Sequence, residues 1–470
     1  LRQLLAPTAR VPAVTPGHVL LPGARVQAAA PPPPVEPDQP VAGEDPAAEE
    51  EWVPGMPLLG RRRPPRPEER LSRMRGRVYG AANLVRTIDS FSEHSYLDAG
   101  AQVDINNVGG TGGVVRFHGE YNYSTEFSGN QGDDLRLYEL SYENGGTRWS
   151  PFRWQVGRFL PRDMPEFGLL DGIEVGYRTE GGDRYGASLG YLPELDDDLE
   201  SAADLQIAAW SGWSQDIGER VTFGIGYQKT WHRFDEDRDL VVLKGRYLPN
   251  SGWDVSSAVW IDFYNGDDNL KDESVEVTRA NLFASRRWVG EGGIEFFYDH
   301  EEYPELLRND NPQTILPLTL IEAHVDRVSV RAWLHSSERT QWFTRVTGWI
   351  DEEDEGGAAE VGVELSDLFG ERTQTSFALF DVIAAASSVR GFRVQHGGPY
   401  ASGRLDVLYE LGFVTYDDFP NDIDDLVQHR LGGMLSTTLG GNWDATFFAD
   451  VTLYDDEASY GVGVYLQRLF

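Results

Sequence analysis

The stretch Asn442-Trp-Asp-Ala-Thr-Phe-Phe-Ala-Asp-Val-Thr-Leu453 alternates in character residue by residue. Trp443, Ala445, Phe447, Ala449, Val451 and Leu453 share one side, and Asn442, Asp444, Thr446, Asp450 and Thr452 share the other. Side-chain direction in an extended chain flips with period 2, so this is a strand with one face for hydrocarbon and one for water. The segment that ends the chain repeats the pattern. Tyr460, Val462, Val464, Leu466 and Phe470 lie on one side, and Gly461, Gly463 and Gln467 on the other. Arg468 interrupts the apolar row near the end, where a long cationic side chain can snorkel to an interface.

The same pattern runs back along the chain to about Arg75. Val115, Phe117, Tyr121 and Tyr123 oppose Arg116, His118, Glu120 and Asn122. Val328, Val330, Ala332 and Leu334 oppose Arg327, Ser329, Arg331 and His335, and Ala359, Val361, Val363 and Leu365 oppose Glu360, Gly362, Glu364 and Ser366. The reading gives about 22 strands: 75–86, 97–106, 113–124, 133–142, 152–160, 171–178, 183–192, 203–213, 219–230, 237–247, 253–264, 276–287, 292–300, 326–335, 340–350, 357–366, 373–383, 387–396, 401–415, 426–437, 442–453 and 458–470. Strand numbers of 20 and 18 are the alternatives, with the pair around 373–396 the first to fall.

Half-buried strands also occur in soluble sandwiches. The connections discriminate. Those after odd-numbered strands, such as 193–202, 231–236, 265–275, 301–325, 351–356 and 416–425, are mostly long or densely acidic. Those after even-numbered strands, such as 179–182, 214–218, 248–252, 288–291 and 438–441, are short. That asymmetry is expected of a transmembrane antiparallel up-and-down β-barrel, all-β, with both termini on the periplasmic side.

Composition removes several other classes. No run of about 20 apolar residues exists, so the chain is not a helical membrane protein. Cysteine is absent, which removes disulfides and thiolate chemistry. The formal net charge of −35, from 41 Lys plus Arg against 76 Asp plus Glu, repels nucleic acid. Residues 1–74 obey different rules. Pro31 to Pro34 and the acidic tract Glu36 to Glu51 cannot build a core, so a disordered periplasmic tail is expected, with a basic proline-containing island at 61–70. His18 to Ala29 carries a short apolar piece and a small-x-small pattern, like the end of a signal peptide.

In this form the chain resembles the outer-membrane barrel proteins of diderm bacteria, porins in the broad sense. The resemblance rests on the C-terminal Phe470 closing an alternating strand, on aromatics near strand ends (Trp443, Tyr454, Tyr460), and on the asymmetry of the turns. It implies that Val462, Val464, Leu466 and Phe470 form an assembly signal read by the outer-membrane barrel assembly machinery, from which Arg468 departs. It also implies outer-membrane lipid and lipopolysaccharide as surroundings. Receptors of the TonB-dependent class share the strand number but carry a large folded plug ahead of the barrel. Only 74 low-complexity residues precede the pattern here.

A barrel of this size has a lumen too wide for its wall side chains to fill. Candidate lumen-lining residues are Arg116, Glu120, Arg153, Glu174, Lys244, Arg246, Arg327, Arg331, Arg345, Glu360, Glu364, Arg404, Asp406, Glu410, Arg430, Asp444 and Asp450. So many charges cost little only in a wet interior. Two connections are candidates to fold inward as gates, 301–325 and 161–170, the latter with two prolines and an apolar tip; an exterior loop is the simpler reading of each. Acidic clusters at 196–198, 235–237, 267–268, 351–355 and 424–425 are expected outside, with no more than weak Ca²⁺ or Mg²⁺ attraction, because none has EF-hand spacing. No hydrolase or nucleotide motif appears, so no enzyme and no cofactor is expected. Two functions follow. One is a channel for small hydrophilic solutes; the other is a scaffold or sheath around a partner protein, for which residues 1–74 are the natural contact.

Overall fold

A computed structural model describes residues 66–470 except 89–91, 126–130, 148, 194–200, 202, 216–217, 265–273, 305, 307–323, 352–354, 386, 417–425 and 455–457. Almost the whole of the expected tail, most of 301–325, and the acidic clusters at 196–198, 267–268 and 424–425 lie outside the described residues.

After a 3-10 turn at Pro67–Glu69 the chain forms 22 strands: β1 (Arg73–Thr87), β2 (Ser92–Asn106), β3 (Val114–Thr125), β4 (Gln131–Gly145), β5 (Phe152–Phe159), β6 (Leu170–Arg178), β7 (Arg184–Leu192), β8 (Asp204–Ser214), β9 (Val221–His232), β10 (Asp235–Tyr247) and β11 (Trp253–Phe263) in the first half. The second half holds β12 (Val275–Trp288), β13 (Gly292–Glu302), β14 (His324–Ser337), β15 (Thr340–Asp351), β16 (Glu355–Ser366), β17 (Gln374–Ile383), β18 (Ser387–Tyr400), β19 (Gly403–Tyr416), β20 (Leu426–Gly440), β21 (Trp443–Leu453) and β22 (Ala458–Leu469). Each strand pairs antiparallel with its sequence neighbours, and β22 pairs with β1 from Arg77↔Leu469 to Thr87↔Ser459. Phe470 extends this seam: its N–H donates to the Gly76 carbonyl at 3.1 Å, and the Gly76 N–H donates to the Phe470 carbonyl at 2.9 Å. Closure leaves no strand edge, which is what a sheet in hydrocarbon requires.

All 22 expected strands are present, including the pair around 373–396, and about half are longer than expected by one to five residues. The clearest difference is at 231–236. There β9 and β10 run on to a two-residue turn, Arg233–Phe234, with φ of 52° and 79°. Two consecutive left-handed residues match the twist of a hairpin, but neither is the Gly or Asn that would announce the turn in sequence. Asp235, Glu236 and Asp237 are therefore strand residues. Asp237 is buried and accepts a hydrogen bond from Thr230 Oγ1 at 2.9 Å. The longest connections, 303–323, 193–203, 264–274, 160–169 and 417–425, all follow odd-numbered strands and so leave the same end of the barrel.

One parity of every strand is apolar and exposed. Ile173, Leu189, Ile207, Ile225, Val346, Leu379, Phe413, Phe447 and Val462 are each more than a third exposed, among many others. A water-facing surface does not carry a continuous apolar belt of this kind. The outer face is therefore the hydrocarbon face, and the fold is that of a transmembrane barrel. Its rim on the short-turn side shows interface chemistry: the Arg286 guanidinium lies 5.3 Å from both the Trp253 and Trp288 ring centroids, and Arg468 lies 5.8 Å from that of Trp443. The cation that breaks the terminal apolar row is thus placed at the barrel rim.

On the inner parity, aromatic rings lie across glycines of the next strand. A Cβ on Gly186 would meet Trp210 at 2.4 Å, one on Gly362 would meet Phe343 at 2.5 Å, and one on Gly463 would meet Phe448 at 2.1 Å. Gly463→Ala is expected to displace the Phe448 ring and to lower stability by about 1–3 kcal/mol, as overpacking does. Urea unfolding in lipid vesicles measures this. Because the same Cβ would also stand 2.2 Å from Asn83 Oδ1, adding Phe448→Ala should remove only part of the Gly463→Ala effect, and adding Asn83→Ala as well should remove most of it.

Candidate functional site: a loop folded into the lumen

The connection 160–169 leaves β5 and turns inward. Its tip is a 3-10 turn, Pro165–Phe167, preceded by Asp163 and Met164. Proline at the first position of the turn sets φ in advance and needs no N–H partner there. Met164 and Phe167 are 1% and 2% exposed, although they sit on a connection. They pack with Ala208 and Trp210 of β8 and Leu240 and Val242 of β10, with Trp260 of β11 against the cluster. Gly224 and Gly226 of β9 make the space. A Cβ on Gly226 would stand 2.6 Å from Phe167 Cζ and 3.2 Å from Met164 Cε. Burying the two side chains contributes about 1.5–3 kcal/mol each.

Polar contacts fasten the tip across several strands. Gln228 Nε2 of β9 donates to the Phe167 carbonyl at 2.8 Å and to Gln206 Oε1 at 2.8 Å. Lys244 Nζ of β10 donates to the Asp163 carbonyl at 2.5 Å and lies 3.1 Å from Glu166 Oε2. The Asp163 carboxylate lies 3.1 Å from Arg153 of β5 and 3.0 Å from Arg184 of β7. A short loop reaches β5, β7, β9 and β10 together only from the concave side of the sheet. The face it touches is therefore the lumen wall. Gly226→Val would put branched carbons where the Phe167 ring lies, and it is expected to undock the loop while the outer face stays unaltered; trypsin cleavage after Arg162 in the folded, detergent-solubilised barrel reports it.

The loop completes a charge array. Arg116 of β3 pairs with Glu143 at 2.6 Å, Glu143 lies 3.6 Å from Arg153, and Arg153 also bonds Glu174 of β6. Arg184 and Arg178 share Glu219. Arg153, Glu143 and Glu174 are all buried, so each relies on its partners for compensation. Of the sequence candidates, Arg116, Arg153, Glu174 and Lys244 thus meet around the loop tip. Glu360 and Glu410 meet on the wall of β16–β19, both bonded by Arg393, at 3.1 and 2.7 Å. Arg331 lies 3.6 Å from Glu295, and Arg430 bonds Asp450 at 2.9 Å. The remaining candidates stand apart: Glu120 accepts from Tyr79 at 2.7 Å, Arg246 lies 3.5 Å from Asp254, and Glu364 accepts from Gln374. Arg404 pairs with Asp406 at 2.9 Å, and Asp444 accepts from Thr438 at 2.9 Å. Arg327 and Arg345 form no hydrogen bond or ion pair with any described residue.

Glu143, Asp163, Arg184, Gln228 and Arg393 were not among the sequence candidates. Glu143 and Arg184 sit at strand ends, and Asp163 sits in the loop. The usable signal was elsewhere: Ala208, Trp210, Leu240 and Val242 are apolar on the parity that should be polar, and an apolar lumen patch needs a cover.

Closure, an even strand number, an apolar outer belt, and the five longest connections all at one end define the class: a transmembrane β-barrel of the bacterial outer-membrane type, porin-like in the broad sense. No protein-family model and no curated protein sequence matches the chain. Among solved structures it is similar to the translocation pore of the P pilus usher PapC, at 8% identity over 84% of this chain and 99% of that one, with a TM-score of 0.47. It is also similar to Pseudomonas aeruginosa OpdQ, at 8% identity over 85% and 98% with a TM-score of 0.40, and to P. aeruginosa OccD3 (OpdP), at 10% over 84% and 91% with a TM-score of 0.40.

Proposed function

We propose that the chain is an outer-membrane channel passing small hydrophilic solutes, narrowed by the docked loop 160–169. The observation that carries this reading is the loop itself. A connection whose Met164 and Phe167 are buried against the lumen wall, and whose Asp163 meets Arg153, Arg184 and Lys244, is held at a fixed place inside the bore. Around it the wall is polar and charged with both signs, which favours water over a packed interior.

In this reading both termini are periplasmic, and the end bearing the long connections faces outward. The segment ahead of β1, the expected tail 1–74 less the two residues Arg73 and Met74 that β1 takes up, forms a periplasmic tether, and the barrel sits in lipid and lipopolysaccharide of a diderm bacterium. Val462, Val464, Leu466 and Phe470 present the terminal signal to the assembly machinery. The lumen charges set the field that solutes meet.

Purified protein in planar bilayers should give stepwise conductance. Folded protein that stays silent and co-purifies with a stoichiometric partner, lost on removal of residues 1–74, would replace the channel by a sheath.

A further inference from the structure

Two arginines of the inner wall stand where strand pairing puts like charges side by side. Arg331 of β14 is directly opposite Arg345 of β15. Like charges in that relation destabilise a sheet. One other pair of arginines stands directly opposite on this wall among the described residues, Arg178 and Arg184, and there Glu219 sits against both guanidinium groups. Nothing equivalent serves Arg345. Its own cross-strand carboxylate is Glu360, but Glu360 is taken by Arg393 at 3.1 Å, whose Nε in turn bonds Glu410 at 2.7 Å. Arg331 has only a loose contact, 3.6 Å to Glu295. Arg345 forms no hydrogen bond or ion pair with any described residue, so its five N–H donors are unmatched within the described wall.

The rows on either side make this a patch with a definite chemistry. Toward the long-connection end, Ser329 opposite Thr347 forms a hydroxyl pair, with Thr347 Oγ1 donating to Ser329 Oγ at 3.0 Å. Toward the short-turn end, Trp333 is directly opposite Phe343. The Arg331 guanidinium lies 5.5 Å from the Trp333 ring centroid, which orients it without neutralising its charge. The patch faces the lumen. Lys244 touches the loop, and the register Lys244↔Ala258↔Asn281↔Asp299↔Arg327 carries the same face round to β14, where Arg331 follows Arg327 by four residues.

Resting on the channel reading, we propose that Arg331 and Arg345 form a binding site for an oxyanion, the carboxylate or phosphate group of a small hydroxylated or ring-bearing solute in transit. Guanidinium forks bind such groups bidentately. The hydroxyl pair would bond the solute's own hydroxyls, and the aromatic pair would carry its apolar face. The chain as a whole has a formal net charge of −35, so a local anion site selects against the prevailing field and not by it.

The test is equilibrium binding to the detergent-solubilised full-length barrel, which does not depend on conductance. Inorganic phosphate and benzoate, as separate probes, are titrated and followed by calorimetry. Saturable binding of either is expected, weakened roughly tenfold or more in Arg345→Gln and in Arg331→Gln, as loss of a charge-assisted contact implies. Arg345→Lys should restore part of it. Heat-modifiable gel mobility shows whether each variant remains a barrel, and an unfolded single variant is replaced by the other. Absence of saturable binding of both probes to the folded wild type, or equal binding by both Gln variants, overturns the site. In bilayers, concentration-dependent interruptions of the current by the bound probe extend the result to transit. A conducting protein without phosphate or benzoate binding refutes the site alone; a binding protein that never conducts refutes the channel alone.

Discussion

Replacing Phe447 by arginine is expected to cost the membrane-inserted barrel about 2–4 kcal/mol, the range for a cation on the lipid face at mid-depth. Phe447 lies near the middle of β21, is 45% exposed, and is flanked in register by Leu435 and Val464, both on the same apolar face. An arginine there has no lumen to reach and is several residues from either rim. Thr446, one residue away, points into the bore, where its Oγ1 is 3.2 Å from Ser436 Oγ. Thr446→Arg should lose that bond and little else, about 1 kcal/mol. Urea unfolding in phospholipid vesicles compares the two variants. Equal costs would mean that the two parities do not see different solvents.

The second large effect concerns the loop. The double variant Met164→Asp, Phe167→Asp places two carboxylates among Trp210, Leu240 and Val242, which are at most 6% exposed. The lost burial alone is about 3–6 kcal/mol, at 1.5–3 kcal/mol per side chain. Each 1.4 kcal/mol is about tenfold in an equilibrium, so the ratio of docked to undocked loop falls by roughly two orders of magnitude or more. Single-channel conductance should rise, and current noise should grow as the free loop samples the lumen. Conductance and noise identical to the wild type would show that the loop does not limit passage. Because the loop is internal to the barrel and β5 and β6 pair independently of it, the seam and strand count should be unaffected.

The strands were legible because alternation depends on one residue at a time. Val328, Val330 and Leu334 report their side of the sheet without reference to any partner, and so does Phe470 at the seam. What sequence did not yield was everything that needs register. The loop 160–169 showed its two prolines and apolar tip, yet its destination depends on Gly226, Trp210 and Val242 lying beside one another, which only pairing of β8, β9 and β10 decides. The same holds for the arginines. Arg331, Arg345 and Glu360 read as lumen residues, but that Arg393 of β18 reaches past β17 and withdraws Glu360 of β16 from Arg345 of β15 is a fact of four successive strands. The acidic triplet 235–237 shows a different limit: a hairpin turn built from Arg233 and Phe234 carries no turn residue to read. Its acids look like loop and lie in a strand.

The two faces of one wall meet different solvents, and the absence of cysteine from the chain makes this directly measurable. Single cysteines placed in turn at residues 444 to 451 of β21 would be treated, in reconstituted vesicles, with a charged thiol reagent that does not enter lipid. Alternation is expected: labelling at 444, 446, 448 and 450, and protection at 445, 447, 449 and 451. Labelling without period 2, or protection of the even positions with labelling of the odd ones, would contradict it.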